Sequence, residues 1–245
     1  MNKVKVKNPK AYTLRKKLIK DYDSFGWASS KNEIPKKLII NFFKASKKIA
    51  QRFGYSDMDN LAINLDKNNK KKLKEIFESI PKIKEFKEIE SYLLKKVRTF
   101  KTIKIKKIKI VGAYFNPGLP KDKRLAYRFH QESSYLNAKY KVNKTDILSA
   151  HFPLIHNANK KNGSMSALSK SHLEGNHSTI NITGKKNGFK SFTPKNIKKI
   201  EKRFEEVQFK LDIGDVLFFT KNLIHKSNFN YSNKCRFIGI IRFIR

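Results

Sequence analysis

The first third of the chain shows the spacing of apolar positions that is typical of amphipathic helices. Residues 34–54 (IPKKLIINFFKASKKIAQRFG) repeat apolar side chains every three or four positions, with Pro35 near the start and Gly54 at the end. The same spacing predicts two further helices over 68–81 and 86–97. The apolar positions of the three faces are Ile39, Phe42, Phe43, Ile49, Ala50, Phe53, Leu73, Ile76, Phe77, Ile80, Ile89, Tyr92, Leu93 and Val97.

After about residue 100 the apolar period changes to two, which is typical of strands with one solvent-exposed face. Residues 102–115 (TIKIKKIKIVGAYF) alternate Ile with Lys, and the doubled Lys106-Lys107 predicts a β-bulge. Turn-forming segments such as NPGLPKD and NANKKNGS separate the later apolar runs. Further strands are predicted at 125–132, 146–155, 164–169, 206–211, 215–219 and 235–244.

These patterns predict a mainly β fold with a helical flank (α+β), built as a sandwich or a barrel. We expect one domain over 1–245, with a mostly helical region at 1–100 and the β core at 101–245. Residues 1–32 are basic and without a clear period, and DYDSFGWASSKN within them is predicted to be a loop. The long polar segment 173–205 is predicted to be an insertion, either a lid over a binding site or a tolerated loop.

The composition is that of a globular protein with an extreme positive charge. Hydrophobic residues make up 39%, with 19 Phe and 9 Tyr, and 56 Lys and Arg against 20 Asp and Glu give a formal charge of +36. Such a charge attracts nucleic acid, acidic lipid headgroups and anionic substrates. Only nine of the basic residues are Arg, which favours diffuse solvated charge over a dedicated polyanion site, although both interpretations remain open.

The cysteine count and the hydropathy limit the cellular setting. Cys235 is the one cysteine, so an internal disulfide and a Cys-based zinc cluster are excluded, and a buried filler role is expected for it. No signal-peptide pattern and no apolar run long enough to cross a membrane is visible in the sequence. A cytoplasmic location is therefore expected.

A candidate metal site begins in the stretch YRFHQESSYL, residues 127–136. On the strand predicted there, His130 and Glu132 project from the same face, so both could bind one ion. A polar strand face with a hydrogen-bonded histidine is the alternative for these two residues alone. His225 follows the predicted strand at 215–219, and it would complete two histidines and one carboxylate, the facial triad of non-haem Fe(II) oxygenases.

Arg236 lies in the apolar run CRFIGII, where a solvated surface charge is not expected. Burying a guanidinium costs several kcal/mol, on the order of the penalty known for buried ions, unless an anion meets it. An internal Asp or Glu could be that anion, but this chain is poor in acids. A carboxylate ligand held by two hydrogen bonds is the second possibility.

Residues 105–245 resemble the phytanoyl-CoA dioxygenase family of Fe(II)- and 2-oxoglutarate-dependent oxygenases. Four blocks carry the resemblance in order: FHQESSYL, then HFPLIHNANKKNGSMSALSKSH, then LDIGDVLFF, then LIHKSNFNYSNKCRFIGIIRF. The first hundred residues are outside it. The resemblance implies a double-stranded β-helix core (jelly-roll, cupin-like) with the N-terminal helices packed on it.

The resemblance also implies residue roles. His130, Glu132 and His225 would bind Fe(II), while Arg236 and Ser227 would hold the distal carboxylate of 2-oxoglutarate. Asn116 and Tyr114 are weaker candidates for the co-substrate pocket, with a turn residue and a core aromatic as alternatives. Gln131 and Tyr135 are weak candidates for contact with the substrate.

Two positions depart from the family pattern. Glu132 stands where most members have Asp, and it argues against a halogenating relative, in which a small residue replaces the carboxylate. Lys170 replaces the Gly of a Gly-Ser-His turn, in which His172 is expected to make a structural hydrogen bond rather than to bind metal.

The expected function is that of a dioxygenase that hydroxylates a small, anionic organic substrate, consuming dioxygen and converting 2-oxoglutarate to succinate. The main alternative is a non-catalytic, basic β-protein that binds nucleic acid or another polyanion. A nucleic-acid demethylase fits less well, because the spacing from His225 to Arg236 follows the small-molecule branch. A cupin-like isomerase or storage protein would leave Arg236 without a purpose.

Overall fold

The N-terminal part of the chain is helical, as predicted. The computed structural model describes residues 5–7, 16–99, 108–123, 128–140, 147–183 and 190–244. The 3-10 helices Ile80–Lys82 and Ser171–Glu174 accompany the α-helices. Within the described ranges the α-helices are α1 (Lys16–Phe25), α2 (Lys36–Arg52), α3 (Met58–Asn68), α4 (Lys70–Ser79), α5 (Lys84–Arg98), α6 (Ser133–Tyr140) and α7 (Ile197–Arg203).

Side-chain caps and apolar stripes explain where these helices lie. The Asp57 carboxylate accepts a hydrogen bond from the Asn60 amide at 2.9 Å at the start of α3, and Asn69 does the same for Lys72 at 3.0 Å at the start of α4. The predicted faces of α4 and α5 are buried or half-buried. On α2 the prediction is wrong at Phe43, which is 47% exposed, and Phe53, just after the helix, is 41% exposed.

The prediction of an irregular segment over 1–32 is wrong for most of its described part. Residues 16–25 form α1, and Trp27–Ser30 form a strand that is buried along its whole length. A strand buried on both faces has no polar alternation to reveal it. Gly26, with φ of 79°, makes the sharp turn between the two elements and gave the segment its loop-like appearance.

The strands form two sheets and one hairpin. The four-stranded sheet has the order β1-β8-β5-β10, and the five-stranded sheet has the order β2-β9-β4-β11-β3. β6 and β7 pair only with each other among the described residues. The strands are β1 (Lys5–Lys7), β2 (Trp27–Ser30), β3 (Lys109–Gly118), β4 (Ile147–Pro153), β5 (Met165–Leu168), β6 (Thr179–Thr183), β7 (Lys190–Pro194), β8 (Glu206–Phe209), β9 (Val216–Thr220), β10 (His225–Ser227) and β11 (Arg236–Ile244).

The outer face of the five-stranded sheet packs on the helices. Phe115 and Phe237 stack with ring centroids 5.5 Å apart, and Phe42 of α2 lies 5.7 Å from Phe115. Phe86 of α5 contacts Phe152 of β4 at 6.3 Å. Burial of each such side chain contributes roughly 1.5–3 kcal/mol, so this aromatic layer fixes the helical flank on the sheet.

The inner face of the same sheet is turned toward the four-stranded sheet. Side chains alternate between the two faces of a strand, so Arg236, Ile238, Ile240 and Arg242 of β11 share the inner face, opposite the outward Phe237. A second apolar cluster fills part of the space between the sheets, with Leu217 and Phe219 from one sheet and Met165, Ala167 and Phe209 from the other. The double-stranded β-helix with helices on one side, and the α+β class, are confirmed.

Three further predictions concern a strand, an insertion and a β-bulge. Residues 128–132 form no strand: His130 makes one isolated antiparallel bridge with His225, and α6 begins at Ser133. The described part of 173–205, predicted to be an insertion, contains secondary structure of its own, namely β6, β7 and α7. The predicted bulge at Lys106-Lys107 lies outside the described residues, and the register shift that is observed falls between Arg242 and Phe243.

Cys235 is buried, as predicted for a small core residue. Among the described residues, no helix is both long and apolar enough to cross a membrane.

Candidate metal and co-substrate site

His130, Glu132 and His225 meet at one end of the space between the two sheets. Each offers one ligand atom, and the three atoms lie within 4.8 Å of one another. The bridge between His130 and His225 brings them together, with backbone amides donating to carbonyls in both directions at 2.9 and 3.0 Å. The His225 Nε2 lies 3.7 Å from Oε1 of Glu132. The two histidines are therefore brought together by the bridge between His130 and His225, and not by a strand over 128–132.

Both imidazole rings are held in the orientation that a metal ligand needs. The Nδ1 atom of His130 lies 2.8 Å from the carbonyl oxygen of Arg128, and the Nδ1 of His225 lies 2.9 Å from that of Leu223. A carbonyl can only accept, so each Nδ1 carries the proton and donates. Each Nε2 therefore carries no proton and presents the lone pair that a metal ligand needs.

The protonation states also fit a divalent cation. Burial, together with the neighbouring His225, lowers the pKa of His130 to about 3, so its ring is neutral at physiological pH. Burial alone would raise the pKa of Glu132, but Arg242 and His225 outweigh it and hold that pKa well below its ordinary value. Two imidazoles and one carboxylate form the donor set that suits ferrous iron, so the residues present fit the ion that the sequence predicts.

Arg242 is a functional residue that the sequence reasoning missed. Its Nη2 lies 2.6 Å from Oε2 of Glu132, with side chains 16% and 4% exposed, and its guanidinium lies 4.7 Å from the ring centre of Tyr114. Arg242 thus holds one carboxylate oxygen while the other faces the histidines. The signal was in the sequence, because Arg242 lies in an apolar run at an even spacing from Arg236.

Arg236 is buried on the same inner face without a carboxylate partner among the described residues. Arg236 is only 6% exposed, and its Nη1 donates a hydrogen bond to the Asn162 carbonyl at 3.2 Å. Its Nε is buried with no hydrogen-bond partner in the described part of the chain. Burial lowers its pKa to about 10, which still leaves it charged at neutral pH. The internal acid considered from the sequence is thus not found, and an anionic ligand remains the group that fits.

Close packing fixes the Arg236 guanidinium. A Cβ atom at Gly118 of β3 would lie 3.2 Å from both Cζ and Nη2 of Arg236, so a side chain there would require the guanidinium to shift by a few tenths of an ångström. Gly118 pairs directly with Arg236 across the two strands.

His151 of β4 is a second buried group on the inner face. It pairs with Ile240 of β11, and its residue is 6% exposed. Burial lowers its pKa to about 3, and the positive charge of Arg236 adds to this effect. His151 could not be assigned from its spacing in the sequence, because only the pairing of β4 with β11 places it opposite Ile240, at a register position between Arg236 and Arg242.

The structure places the other co-substrate candidates at different positions. Ser227 lies two residues after His225 on β10, so it shares that residue's face. Asn116 and Tyr114 lie on the inner-facing side of the edge strand β3, and both are exposed. Tyr114 stacks on Arg242 and is four residues along the strand from Gly118, roughly 13 Å from the position opposite Arg236.

Gln131 and Tyr135 connect the site to the segment 173–205. The Gln131 amide is fully buried and donates to the carbonyls of Gly175 and Asn222 at 2.8 and 2.6 Å, while its oxygen accepts from the His177 amide. The Tyr135 ring lies edge-on to His130 at 5.5 Å and to Phe192 of β7 at 5.2 Å. Gln131 therefore anchors backbone, whereas Tyr135 lies between a metal ligand and the hairpin.

Two of the remaining histidines make structural contacts. The Nε2 of His172 lies 2.9 Å from the Asp23 carbonyl oxygen, a contact that ties the turn after β5 to α1. The Nε2 of His156 lies 2.6 Å from Oδ2 of Asp59.

Comparison with known proteins agrees with this geometry. A family model described as phytanoyl-CoA dioxygenase (PhyH) matches residues 33–238. EvdO2 from Micromonospora carbonacea var. aurantiaca is similar over 100% of this chain and 93% of its own, with 11% identity and a TM-score of 0.68, and it has also been solved with 2-oxoglutarate. A search of curated proteins finds no match.

Two further solved structures share the fold. SnoK, described as a non-heme alpha ketoglutarate dependent carbocyclase from nogalamycin biosynthesis, covers 98% of this chain and 87% of its own at 12% identity, with a TM-score of 0.57. EctD from S. alaskensis, solved with 2-oxoglutarate and 5-hydroxyectoine, covers 99% and 78% at 12% identity, with a TM-score of 0.58.

A double-stranded β-helix with two histidines and a carboxylate between its sheets defines the class of non-haem iron oxygenases. Within that class, the chain belongs to the phytanoyl-CoA dioxygenase (PhyH) family. It is a 2-oxoglutarate-dependent oxygenase that uses iron and dioxygen and acts on a small molecule, as the sequence resemblance implied.

Proposed function

We propose that His130, Glu132 and His225 hold the Fe(II) ion and that Arg236 binds the distal carboxylate of 2-oxoglutarate. The observation that carries this assignment is the buried Arg236, whose Nε lacks a partner among the described residues and which lies on the same inner face as Arg242, the partner of Glu132. The distal carboxylate of 2-oxoglutarate would neutralise the Arg236 guanidinium, which the fold otherwise leaves buried without an anionic partner.

The chain's own residues have separate tasks in this proposal. Arg236 and the Ser227 hydroxyl donate hydrogen bonds to the distal carboxylate, and the neutral His151 lines the path between that carboxylate and the metal ligands. Phe219, whose ring lies 4.8 Å from that of His225, excludes water from one side of the site. When bound, iron and 2-oxoglutarate supply the oxidising chemistry, in which dioxygen is consumed, 2-oxoglutarate becomes succinate and carbon dioxide, and a C–H bond is hydroxylated.

We propose that the substrate is a small organic anion. The formal charge of +36 raises the local concentration of anions around the protein. Possible chemistries are an acyl thioester, a phosphorylated compound or an acidic sugar chain. The non-catalytic polyanion-binding alternative does not agree with membership of an oxygenase family.

We further propose that 1–245 is one oxygenase domain and that the β6–β7 hairpin within 173–205 acts as a lid. The contact of Tyr135 with both His130 and Phe192 supports a lid that closes over the metal ligands. Two hydrogen bonds of the Gln131 side chain, to the Gly175 carbonyl and from the His177 amide, give the segment a fixed base. Asn116 and Tyr114, at the exposed edge of the inner face, remain candidates for contacts with bound ligands.

Anaerobic spectroscopy tests the metal and co-substrate assignment. Addition of Fe(II) and 2-oxoglutarate to the folded protein should give the weak visible charge-transfer band of the chelate. The band should be lost in His225→Ala and in Arg236→Ala, whereas Lys198→Ala, on the exposed side of α7, should keep it. Absence of the band in the folded wild-type protein would reject the assignment.

A further inference from the structure

The outward face of α2 concentrates positive charge. Five lysines and one arginine are exposed on this helix, and its sequence contains no Asp or Glu. None of the six cations lies within ion-pair distance of a carboxylate in the described part of the chain. We call the following exposed residues the α2 surface: Lys36, Lys37, Ile40, Phe43, Lys44, Lys47, Lys48 and Arg52.

Two large apolar side chains lie among these cations. Ile40 is 42% exposed and Phe43 is 47% exposed, and their spacing of three residues places them side by side on the helix. The opposite face already supplies the packing, with Ile39, Phe42 and Ala50 buried against the core. Ile40 and Phe43 are thus not needed to attach the helix to the sheet, and they form an exposed apolar pair among the cations.

The kind of partner follows from this combination. A second copy of the chain would bring six further cations against these six, which disfavours self-association. Nucleic-acid surfaces typically use arginine, of which the α2 surface has one, and an aliphatic Ile40 gains little from a phosphate backbone. A cationic helix face with exposed apolar side chains matches the interface of an anionic lipid bilayer, where lysines meet headgroups and apolar side chains enter the acyl boundary.

We propose that the α2 surface docks this oxygenase on anionic membranes, with Ile40 and Phe43 inserted at headgroup depth. α2 packs on the outer face of the five-stranded sheet through Phe42 and Phe115, whereas the metal ligands lie toward the inner face. Docking through α2 therefore leaves the space between the sheets unobstructed. This proposal does not depend on the assignment of the metal or the co-substrate.

Vesicle co-sedimentation of the full chain tests the proposal. Vesicles of phosphatidylcholine with about a quarter phosphatidylserine should bind the protein, and pure phosphatidylcholine should bind it at least about tenfold more weakly. Raising the salt from about 0.1 M to about 0.5 M should release it, because the lysine contacts are screened. Equal binding to both vesicle types, or binding to neither, would overturn the proposal.

Matched variants assign the contact to the α2 surface. Lys44→Gln/Lys47→Gln/Lys48→Gln should reduce binding to the anionic vesicles by more than about tenfold, and Ile40→Ser/Phe43→Ser should do so with every charge kept. The control Lys198→Gln/Lys199→Gln/Lys202→Gln removes the same charge from exposed positions of α7 and should bind within about threefold of wild type. Equal losses in the α2 and α7 triple variants would mean diffuse charge and would reject the site.

Tryptophan fluorescence at position 43 tests the insertion directly, through a signal that appears on binding. Phe43→Trp should show a blue-shifted emission with the anionic vesicles, because its indole leaves water, while Trp27 is already 9% exposed in the free protein and should not respond. No shift at Phe43→Trp would overturn insertion. Tighter binding of a short DNA duplex than of vesicles, lost in the same α2 variants, would instead identify a nucleic-acid surface and refute the membrane assignment.

Discussion

Arg242 and Glu132 form a buried ion pair at 2.6 Å, although more than a hundred residues separate them in the chain. The pair sets both the charge and the orientation of the carboxylate that completes the metal site, because one oxygen meets the guanidinium and the other faces His225. The Glu132 carboxylate is therefore stabilised in its charged form by Arg242 before any metal binds.

Arg242→Met should weaken Fe(II) binding by about 10- to 100-fold, the range known for residues that support metal ligands. Without the guanidinium, Glu132 is a buried and uncompensated charge that takes up a proton more readily. Anaerobic titration calorimetry measures the change, and Arg242→Lys should recover part of the affinity because the positive charge returns. Arg203→Met, which breaks the exposed pair with Glu174, should leave metal affinity unchanged. Equal affinities for wild type and Arg242→Met would disprove this role.

Arg236→Ala should reduce 2-oxoglutarate affinity by at least about thirtyfold, because it removes the buried cation proposed to hold the distal carboxylate. Fe(II) affinity should stay within about threefold of wild type, since no metal ligand contacts Arg236. Calorimetry with each ligand separates the two effects. Unchanged co-substrate affinity in the folded variant would count against the assignment of Arg236.

His151 should make the wild-type protein less stable as the solution is acidified. Its pKa is about 3 in the folded chain and 6.5 as the ordinary value, so between these limits the unfolded chain binds a proton that the folded chain does not. The free energy of unfolding therefore falls as pH decreases below 6.5, by up to about 1.4 kcal/mol per pH unit. Urea titrations at about pH 7 and 5.5 should show a smaller decrease for His151→Gln, by about 1 kcal/mol. Parallel decreases in the two proteins would contradict the prediction.

Asp59 joins α3 to the beginning of β11. Its carboxylate accepts hydrogen bonds from the Cys235 amide and from His156, both at 2.6 Å. Burial would raise the pKa of Asp59, but these hydrogen bonds outweigh it and the pKa lies below the ordinary 3.8. Its stabilising contribution is therefore fully present above pH 3.8 and is lost as the pH falls through the lowered value.

Asp59→Asn should lower the free energy of unfolding at neutral pH by about 1–3 kcal/mol, and the difference from wild type should shrink in strong acid. Urea denaturation followed by circular dichroism measures both. Glu75→Gln, which breaks an exposed pair with Lys72, should cost no more than about 0.5 kcal/mol and serves as the control. A difference that is the same at pH 7 and in strong acid would show that the carboxylate charge is not the source.

Local patterns predicted those parts of the fold whose signal is contained in neighbouring residues. Apolar runs bounded by turn-forming segments located β4, β5, β8, β9 and β11, several of which are buried on both faces. The short strand β2 was missed because its four residues, WASS, form no apolar run and directly follow α1 and Gly26. The strand predicted around His130 was wrong because its pairing is one bridge to a residue that lies far away in the chain.

The same limit applied to the site. The spacing of His130, Glu132, His225 and Arg236 allowed the metal and co-substrate groups to be predicted, because the family resemblance fixes their order. The even spacing of Arg242 from Arg236 marks its face but not its partner, since Glu132 is far away in the chain. The position of His151 depends on the pairing of β4 with β11. Gln131 seemed a substrate contact in the sequence, yet its partners are backbone groups of Gly175, His177 and Asn222.

Strand β11 carries both Arg236 and Arg242, six residues apart, on one face. The extended strand fixes the separation of these two residues at roughly 20 Å between their Cα atoms. Arg236 is the residue proposed to bind 2-oxoglutarate, and Arg242 is the one that pairs with Glu132. Inserting or deleting a single residue between them would turn one of the two toward the aromatic layer under the helices. Natural variation in length should therefore be excluded from this strand and tolerated in the loops at either end.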